Sequence, residues 1–344
     1  MDRKVIFAVA GSGKTTLLVE RLDEIRRFLV VTYTDKNTDN IKNRVLKKFG
    51  YHPKNITVLT YFEFLMAICY RPLLSDKVKA RYILWNMPDQ STLKYPRSNQ
   101  AFYMNAQHDL YHNRIARLCM YVKDEISERI AKYFDCFYYD EVQDLNGHDL
   151  DLMYSIIPHT IEALFVGDFF QHTYSTSLDG KLHKNLYENY VKYKKCWSDA
   201  GYNIDEKTLS NSYRCSKTVC DFVRDKIGIE IYSHDNRLSE IREIKTEQDA
   251  DAIITDGLIP KLFYQEAHKY MCFAMNWGES KGLDDFNDVC IILNKSTLNA
   301  FYANELHKMA ESTRNKLYVA CTRAKRNLYF VPHYFLEKYR RDKH

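Results

Sequence analysis

The sequence predicts an α/β fold in which a parallel sheet presents a phosphate-binding loop. Two stretches and the length carry that reading. Val5–Val9 is a short unbroken apolar run, as expected of a strand buried on both faces of a parallel sheet. It passes through AGSGKTT into a segment of helical periodicity that reaches Leu22. A second apolar and aromatic run, CFYY at 136–139, stops abruptly at Asp140 and Glu141. At 344 residues the chain has room for two domains.

Strand, glycine loop, helix is the context a phosphate-binding loop requires. Gly11 and Gly13 let the backbone turn its N–H groups inward with no Cβ in the way, and the helix N-terminus adds partial positive charge. Ala10, Gly11, Ser12, Gly13, Lys14, Thr15 and Thr16 are the candidate nucleotide-binding residues. Lys14 would reach the β- and γ-phosphates, and the Thr15 hydroxyl would ligate Mg²⁺. Ala8 stands where the full GxxxxGK[ST] pattern has its first glycine, so the loop is a shortened form. Such a loop needs a second metal contact and a base. Asp140 at the end of the second strand is the candidate for holding Mg²⁺, and Glu141 for polarising the attacking water. Gln143 and Asp144 follow as candidates for coupling that site to its neighbours.

Composition adds bounds. Hydrophobic residues at 45% and charged residues at 28% describe an ordinary globular protein. A net charge of +5 suits a polyanionic partner weakly. The 27 Tyr and 18 Phe point first to an aromatic core, with a few rings left for base stacking. Nine scattered Cys without CxxC spacing argue against a zinc site and a disulfide framework, so a reduced, cytoplasmic protein is expected. The N-terminus turns into the glycine loop after one short strand and does not read as a signal peptide. No apolar run approaches the length of a membrane span.

Eight segments in order then resemble the motifs of superfamily 1 helicases of the UvrD/Rep/PcrA type. AGSGKT (10–15), VVTYTDKNTDNIKNRV (30–45), VLTYFEFL (58–65) and YDEVQDL (139–145) resemble motifs I, Ia, Ib and II. LFVGDFFQHTY (164–174), LSNSYRCS (209–216), ESKGLDDFNDVCII (279–292) and KLYVACTRAKRNLYF (316–330) resemble motifs III to VI. The resemblance implies two RecA-like P-loop NTPase domains in tandem. The first would comprise 1–64 and 137–205, interrupted by a reduced, mainly helical insertion at 65–136; the second would be 206–344, with the active site in the cleft between them. It further implies a catalytic set of Lys14, Glu141, Gln171, Arg214 and Arg323, with the two arginines acting on the transferring phosphoryl group. Tyr213 would stack on adenine and Asp284 contact ribose. Thr34, Thr60, Tyr61, Phe62, Phe64, Tyr174 and Lys281 would line the single-strand track. Function follows as an ATP- and Mg²⁺-dependent, 3′-to-5′ DNA helicase or translocase acting on single-stranded DNA.

Departures from the family pattern shape an alternative. The family's upstream glutamine motif does not precede Val5, so loose base selectivity is expected. STSLDG at 175–180 replaces an aromatic and arginine stretch. Gly278 takes the place of a motif V histidine, and Trp277 beside it is a candidate to stack instead. The interval from Ser216 to Trp277 leaves no space for the large 2B subdomain of full-length relatives. Short chains of this kind resemble the helicase partners of bacterial anti-phage systems such as Gabija. The alternative is therefore a DNA-stimulated ATPase subunit or sensor, with weak unwinding, serving a nuclease partner.

Overall fold

A computed structural model describes residues 2–173, 182–183, 185–283 and 286–341. The chain divides into two compact units. The first comprises residues 1–7, 14–167 and 175–205, and the second 8–13, 168–174 and 206–344. Residues 8–13 and 168–174, assigned to the first domain from sequence, group instead with the second unit. The reason is hydrogen bonding: Val9 N–H donates to Leu209 O (3.0 Å), and Tyr213 N–H donates to Gly11 O (2.9 Å).

The first unit begins with β1 (Arg3–Phe7), α1 (Lys14–Glu20), β2 (Phe28–Thr32), α2 (Asp35–Phe49) and β3 (Ile56–Thr60). α3 (Tyr61–Phe64) continues through a π-helical stretch, Leu65–Tyr70, into α4 (Arg71–Val78). Short strands β4 (Ile83–Leu84) and β5 (Leu110–Tyr111) pair in parallel, followed by α5 (Ile115–Cys119) and α6 (Lys123–Tyr133). β6 (Cys136–Tyr139), α7 (Gly147–Ile156), β7 (Glu162–Gly167), α8 (Tyr190–Asp199) and β8 (Asn203–Asp205) complete the unit. Its main sheet has the order β3-β2-β6-β7-β1-β8, every pair parallel. Every residue of β2 and β6 is buried, which explains why both read as unbroken apolar runs. Much of the aromatic content serves this core. Phe165 packs within 6 Å, centroid to centroid, of Phe137, Tyr139, Trp197 and Tyr202.

In the second unit, β9 (Asn211–Ser212), α9 (Lys217–Phe222) and β10 (Tyr232–Ser233) form a small layer in which β9 and β10 pair in parallel. β11 (Ile241–Glu243), α10 (Glu247–Thr255), β12 (Lys261–Phe263), β13 (Ala274–Asn276), β14 (Val289–Leu293), α11 (Lys295–Tyr302), α12 (Glu311–Cys321) and β15 (Leu328–Pro332) follow. The sheet order is β11-β15-β14-β12-β13, again all parallel. Alternation along β14 feeds two cores. Val289, Ile291 and Leu293 pack with α9 and α12, while Cys290 and Ile292 pack with Ile253 and Ile254 of α10. Among the described residues no helix is long and apolar enough to cross a membrane.

Candidate active site

In the first unit the candidate residues follow the C-terminal ends of parallel strands, where open α/β sheets place their ligand sites. Lys14 opens α1 and is 8% exposed, with its Nζ 3.9 Å from Glu141 Oε1. Thr15 Oγ1 donates to Asp140 Oδ2 at 2.7 Å, and Glu141 N–H donates to Asp140 Oδ1 at 3.0 Å. Asp140 is buried at the end of β6. Burial first, then the Glu141 charge beside it, pushes its carboxyl up to about 7, against the lowering hydrogen bond from Thr15. Glu141 has φ +60°, a left-handed backbone that a side-chain-bearing residue holds only under constraint. That conformation follows β6 directly and turns the chain into the 3₁₀ turn Val142–Asp144. The Gln143 amide donates to Glu141 Oε2. Gly167, at the end of β7, makes room for this arrangement. A Cβ there would overlap Gln143 Oε1 and lie 2.7 Å from Val142 Cγ1.

These oxygens suit Mg²⁺. A hydroxyl and a buried carboxylate converge within hydrogen-bond distance, and the carboxyl holds its proton well above the usual range unless a cation compensates it. Among the described residues no group of three or more His, Cys, Asp and Glu is placed to hold a metal.

In the second unit, Gly11 (φ +70°) and Gly13 (φ +87°) take backbone conformations that favour glycine. A Cβ on Gly11 would come 2.6 Å from Arg214 Cβ and 2.9 Å from Ser212 Oγ, so the loop and the SYR segment lie backbone to backbone. Ser12 Oγ closes the loop by donating to Val9 O at 2.8 Å. A buried relay runs through the unit. Ala10 N–H donates to the Tyr318 hydroxyl (2.8 Å), which donates to Asp168 Oδ2 (2.8 Å), which also accepts from Gln171 Nε2 (2.8 Å). Burial, then the Asp168 charge, holds the Tyr318 hydroxyl far above the ordinary tyrosine range, so it stays protonated as this relay requires. Sequence reading names Ala10 and Gln171 but assigns no role to Tyr318 or Asp168, although both lie inside quoted motifs. Arg214 Nη1 donates to Thr322 O (3.1 Å). Arg323 is buried, with Nε on Val319 O (3.1 Å) and Nη1 on Leu283 O (3.2 Å). Tyr213 is 59% exposed, and one face of its ring is covered by His234 at a centroid distance of 4.0 Å. Nothing in the sequence singles out His234. Thr16 accepts from Arg44 Nη1 at 2.8 Å in the first unit. Asp284 and Tyr174 lie outside the described residues.

Among the candidate strand contacts, Thr34 is exposed and caps α2 by accepting Asn37 N–H, and Lys281 is half-buried after the 3₁₀ turn Gly278–Ser280. Three expectations need correction. Phe64 is fully buried, edge-on to Phe137, so no face is left for a base. Tyr61 is 5% exposed, with its hydroxyl donating to Asp149 (3.0 Å) and its ring stacked near Tyr33. Trp277 is fully buried, its Nε1 donating to Leu262 O, and belongs to the second unit's core. Thr60 is spent on a capping box with Glu63 at the start of α3.

Comparison with known proteins adds the family. The UvrD/REP helicase N-terminal domain matches residues 2–108, and the viral superfamily 1 RNA helicase core domain matches residues 116–332. A search of curated proteins finds no match. Among solved structures, the arterivirus nonstructural protein 10 helicase in complex with DNA is 14% identical, with a TM-score of 0.50 over 95% of this chain. The same helicase in a separate crystal structure is 15% identical, with a TM-score of 0.50 over 97% of this chain. The present chain spans 60% and 62% of those two chains, and at such identities the likeness speaks for the fold. The core-domain match covers more than half of the sequence and takes in the DEVQD, VGD, SYR and TRAK segments whose geometry is described above, and the chain belongs to the superfamily 1 helicases.

Proposed function

We propose that this chain is an ATP-driven motor on single-stranded nucleic acid, translocating 3′-to-5′ on DNA as its resemblance to UvrD, Rep and PcrA implies. The observation that carries the reading is the pairing of Thr15 with Asp140 and of Lys14 with Glu141 in one unit. In this reading the backbone from Ala10 to Thr16 cradles the phosphates. Lys14 neutralises the γ-phosphate, and Thr15 and Asp140 hold Mg²⁺. Glu141, held by Gln143, accepts a proton from the attacking water. Arg214, Arg323 and Gln171 act on charge developing at the transferred group, Tyr213 stacks on the base, and Asp284 contacts ribose. Mg²⁺, when bound, supplies charge neutralisation at the phosphates. Thr34 and Lys281 serve the strand track. Residues 1–64 and 137–205, apart from the 8–13 and 168–174 stretches that group with the second unit, act as the Walker domain, 65–136 as its insertion and 206–344 as the arginine-bearing domain.

A second reading is a strand-stimulated ATPase subunit with weak unwinding that serves a nuclease partner, as in phage defence. One feature favours it: residues 217–276 are taken up by α9 to β13, which belong to the second unit's own layers. The test is ATP hydrolysis by the purified chain, alone and with single-stranded DNA, duplex DNA or RNA, beside Lys14→Ala and Glu141→Gln. RNA is included because the matching core domain is that of viral RNA helicases. Stimulation by one strand type, lost in both variants, is the expected result. A strand-displacement assay on 3′- and 5′-tailed duplexes then separates motor from sensor. No hydrolysis under any condition refutes a self-sufficient motor.

A further inference from the structure

The insertion carries a feature that the strand-track motifs do not include. Trp85 follows β4 and is 62% exposed. It nevertheless touches two rings. Phe62 of α3 lies 4.6 Å away centroid to centroid, and His112 after β5 lies 4.8 Å away. The His112 ring is fixed by its Nδ1–H, which donates to Leu84 O at 3.0 Å. Phe62 stands in the first turn of α3, which the Thr60–Glu63 capping box starts. The indole therefore touches two neighbouring rings while most of its surface remains in water. Tyr82 (68% exposed) and Met87 (55% exposed) flank it in sequence.

Charge is concentrated in the same segment. Residues 71–122 hold eight Lys and Arg against three Asp, a net +5, which equals the net charge of the whole chain. Arg71, Lys77, Lys79, Arg81, Lys94 and Arg97 are exposed, and none of these six forms an ion pair among the described residues. The other two are taken up by the insertion itself: Arg114 is buried over the Phe102 ring at 4.0 Å, and half-buried Arg117 lies over the same ring at 5.2 Å. An exposed aromatic plane in a segment rich in exposed cations without ion pairs matches unpaired bases on a phosphate backbone. Stacking is available to every base, and the cations attract the phosphates. A protein partner would match the apolar rings but not the excess of unpaired positive charge.

We propose that Trp85, touching Phe62 and His112, is a base-stacking platform for single-stranded nucleic acid on the insertion. The inference rests on the reading of this chain as a strand-binding motor. Trp197 and Trp277 are fully buried, so Trp85 is the one exposed tryptophan of three, and the part of the emission that Trp85→Ala removes reports on it.

The experiment titrates wild-type protein at low salt with oligo-dT and oligo-U of about 20 nucleotides, longer than a typical single-strand site. Tryptophan emission is followed beside the polarisation of a fluorescein-labelled copy. Quenching that saturates together with polarisation is expected. In Trp85→Ala the quench disappears and affinity falls at least about fivefold, the lower end of one base stack. Trp85→Phe retains most of the affinity. A rise in polarisation without quenching, or Trp85→Ala binding as tightly as wild type, overturns the platform and leaves this face to a protein partner. No rise in polarisation with either oligonucleotide overturns the strand-binding reading itself, and the platform with it. A wild-type titration without quenching overturns the platform by itself, and Trp85→Phe, which keeps an aromatic ring, controls for a Trp85→Ala chain that fails to fold.

Discussion

Asp140 couples the stability of the fold to pH. Its proton is held up to about 7, against an ordinary value of 3.8. A raised folded pKa means the folded chain binds the proton more tightly than the unfolded chain. The stabilisation is complete below the unfolded value and is lost as pH rises through about 7. Metal-free Asp140→Asn is therefore expected to melt several degrees higher than wild type at pH above that value and to lose the advantage in mild acid, a difference thermal denaturation measures directly. Gly167 makes a separate prediction. Gly167→Ala places a methyl group against Gln143 Oε1 and Val142, displacing the amide that holds Glu141. kcat is expected to fall at least about tenfold while nucleotide binding is nearly kept, because in the proposed function Glu141 acts on the water and not on the phosphates. Steady-state kinetics beside nucleotide-binding titration distinguishes this from general destabilisation.

At the scale of elements, the Tyr318 hydroxyl ties the loop 8–13, the 3₁₀ turn Phe169–Gln171 and α12 into one block. Tyr318→Phe removes one oxygen and leaves the Ala10 N–H without its acceptor. A cost of about 1–3 kcal/mol in unfolding free energy is expected, read by urea denaturation, with weaker nucleotide binding from a looser loop. This element-level linkage was hidden in the sequence. Tyr318 sits inside a helix 308 positions away from Ala10, and its apolar neighbours give no sign that its hydroxyl points at a loop. The strands were legible for the opposite reason. Burial on both faces leaves an unbroken apolar run, and the loops that follow carry residue types with few alternative uses.

For the whole molecule, the charge distribution makes the prediction. The excess positive charge equals that of residues 71–122. Strand affinity is expected to fall steeply with salt, in a log–log slope set by the number of phosphates neutralised. Replacing Arg81 and Lys79 together with Gln reduces that slope by about 1 to 2 if both reach phosphates. Polarisation titrations across a salt series measure it, and an unchanged slope moves the electrostatic footprint elsewhere.

Residue types and their spacing determined by themselves the α/β class, the phosphate loop and the acidic pair, because glycines, a GKT ending and a strand ending in two carboxylates each answer a local chemical need. Only the tertiary structure decided which rings face water. Phe64, Tyr61 and Trp277 were plausible stacking residues on sequence and are buried, while Trp85 and His234 carried no signal and lie at exposed stacks. It also decided that residues 8–13 join the second unit, since their hydrogen bonds go to Leu209, Tyr213 and Tyr318. The physical reason is the same in each case. A side chain's identity states what it can do, but its exposure and partners come from segments far away in sequence that pack against it.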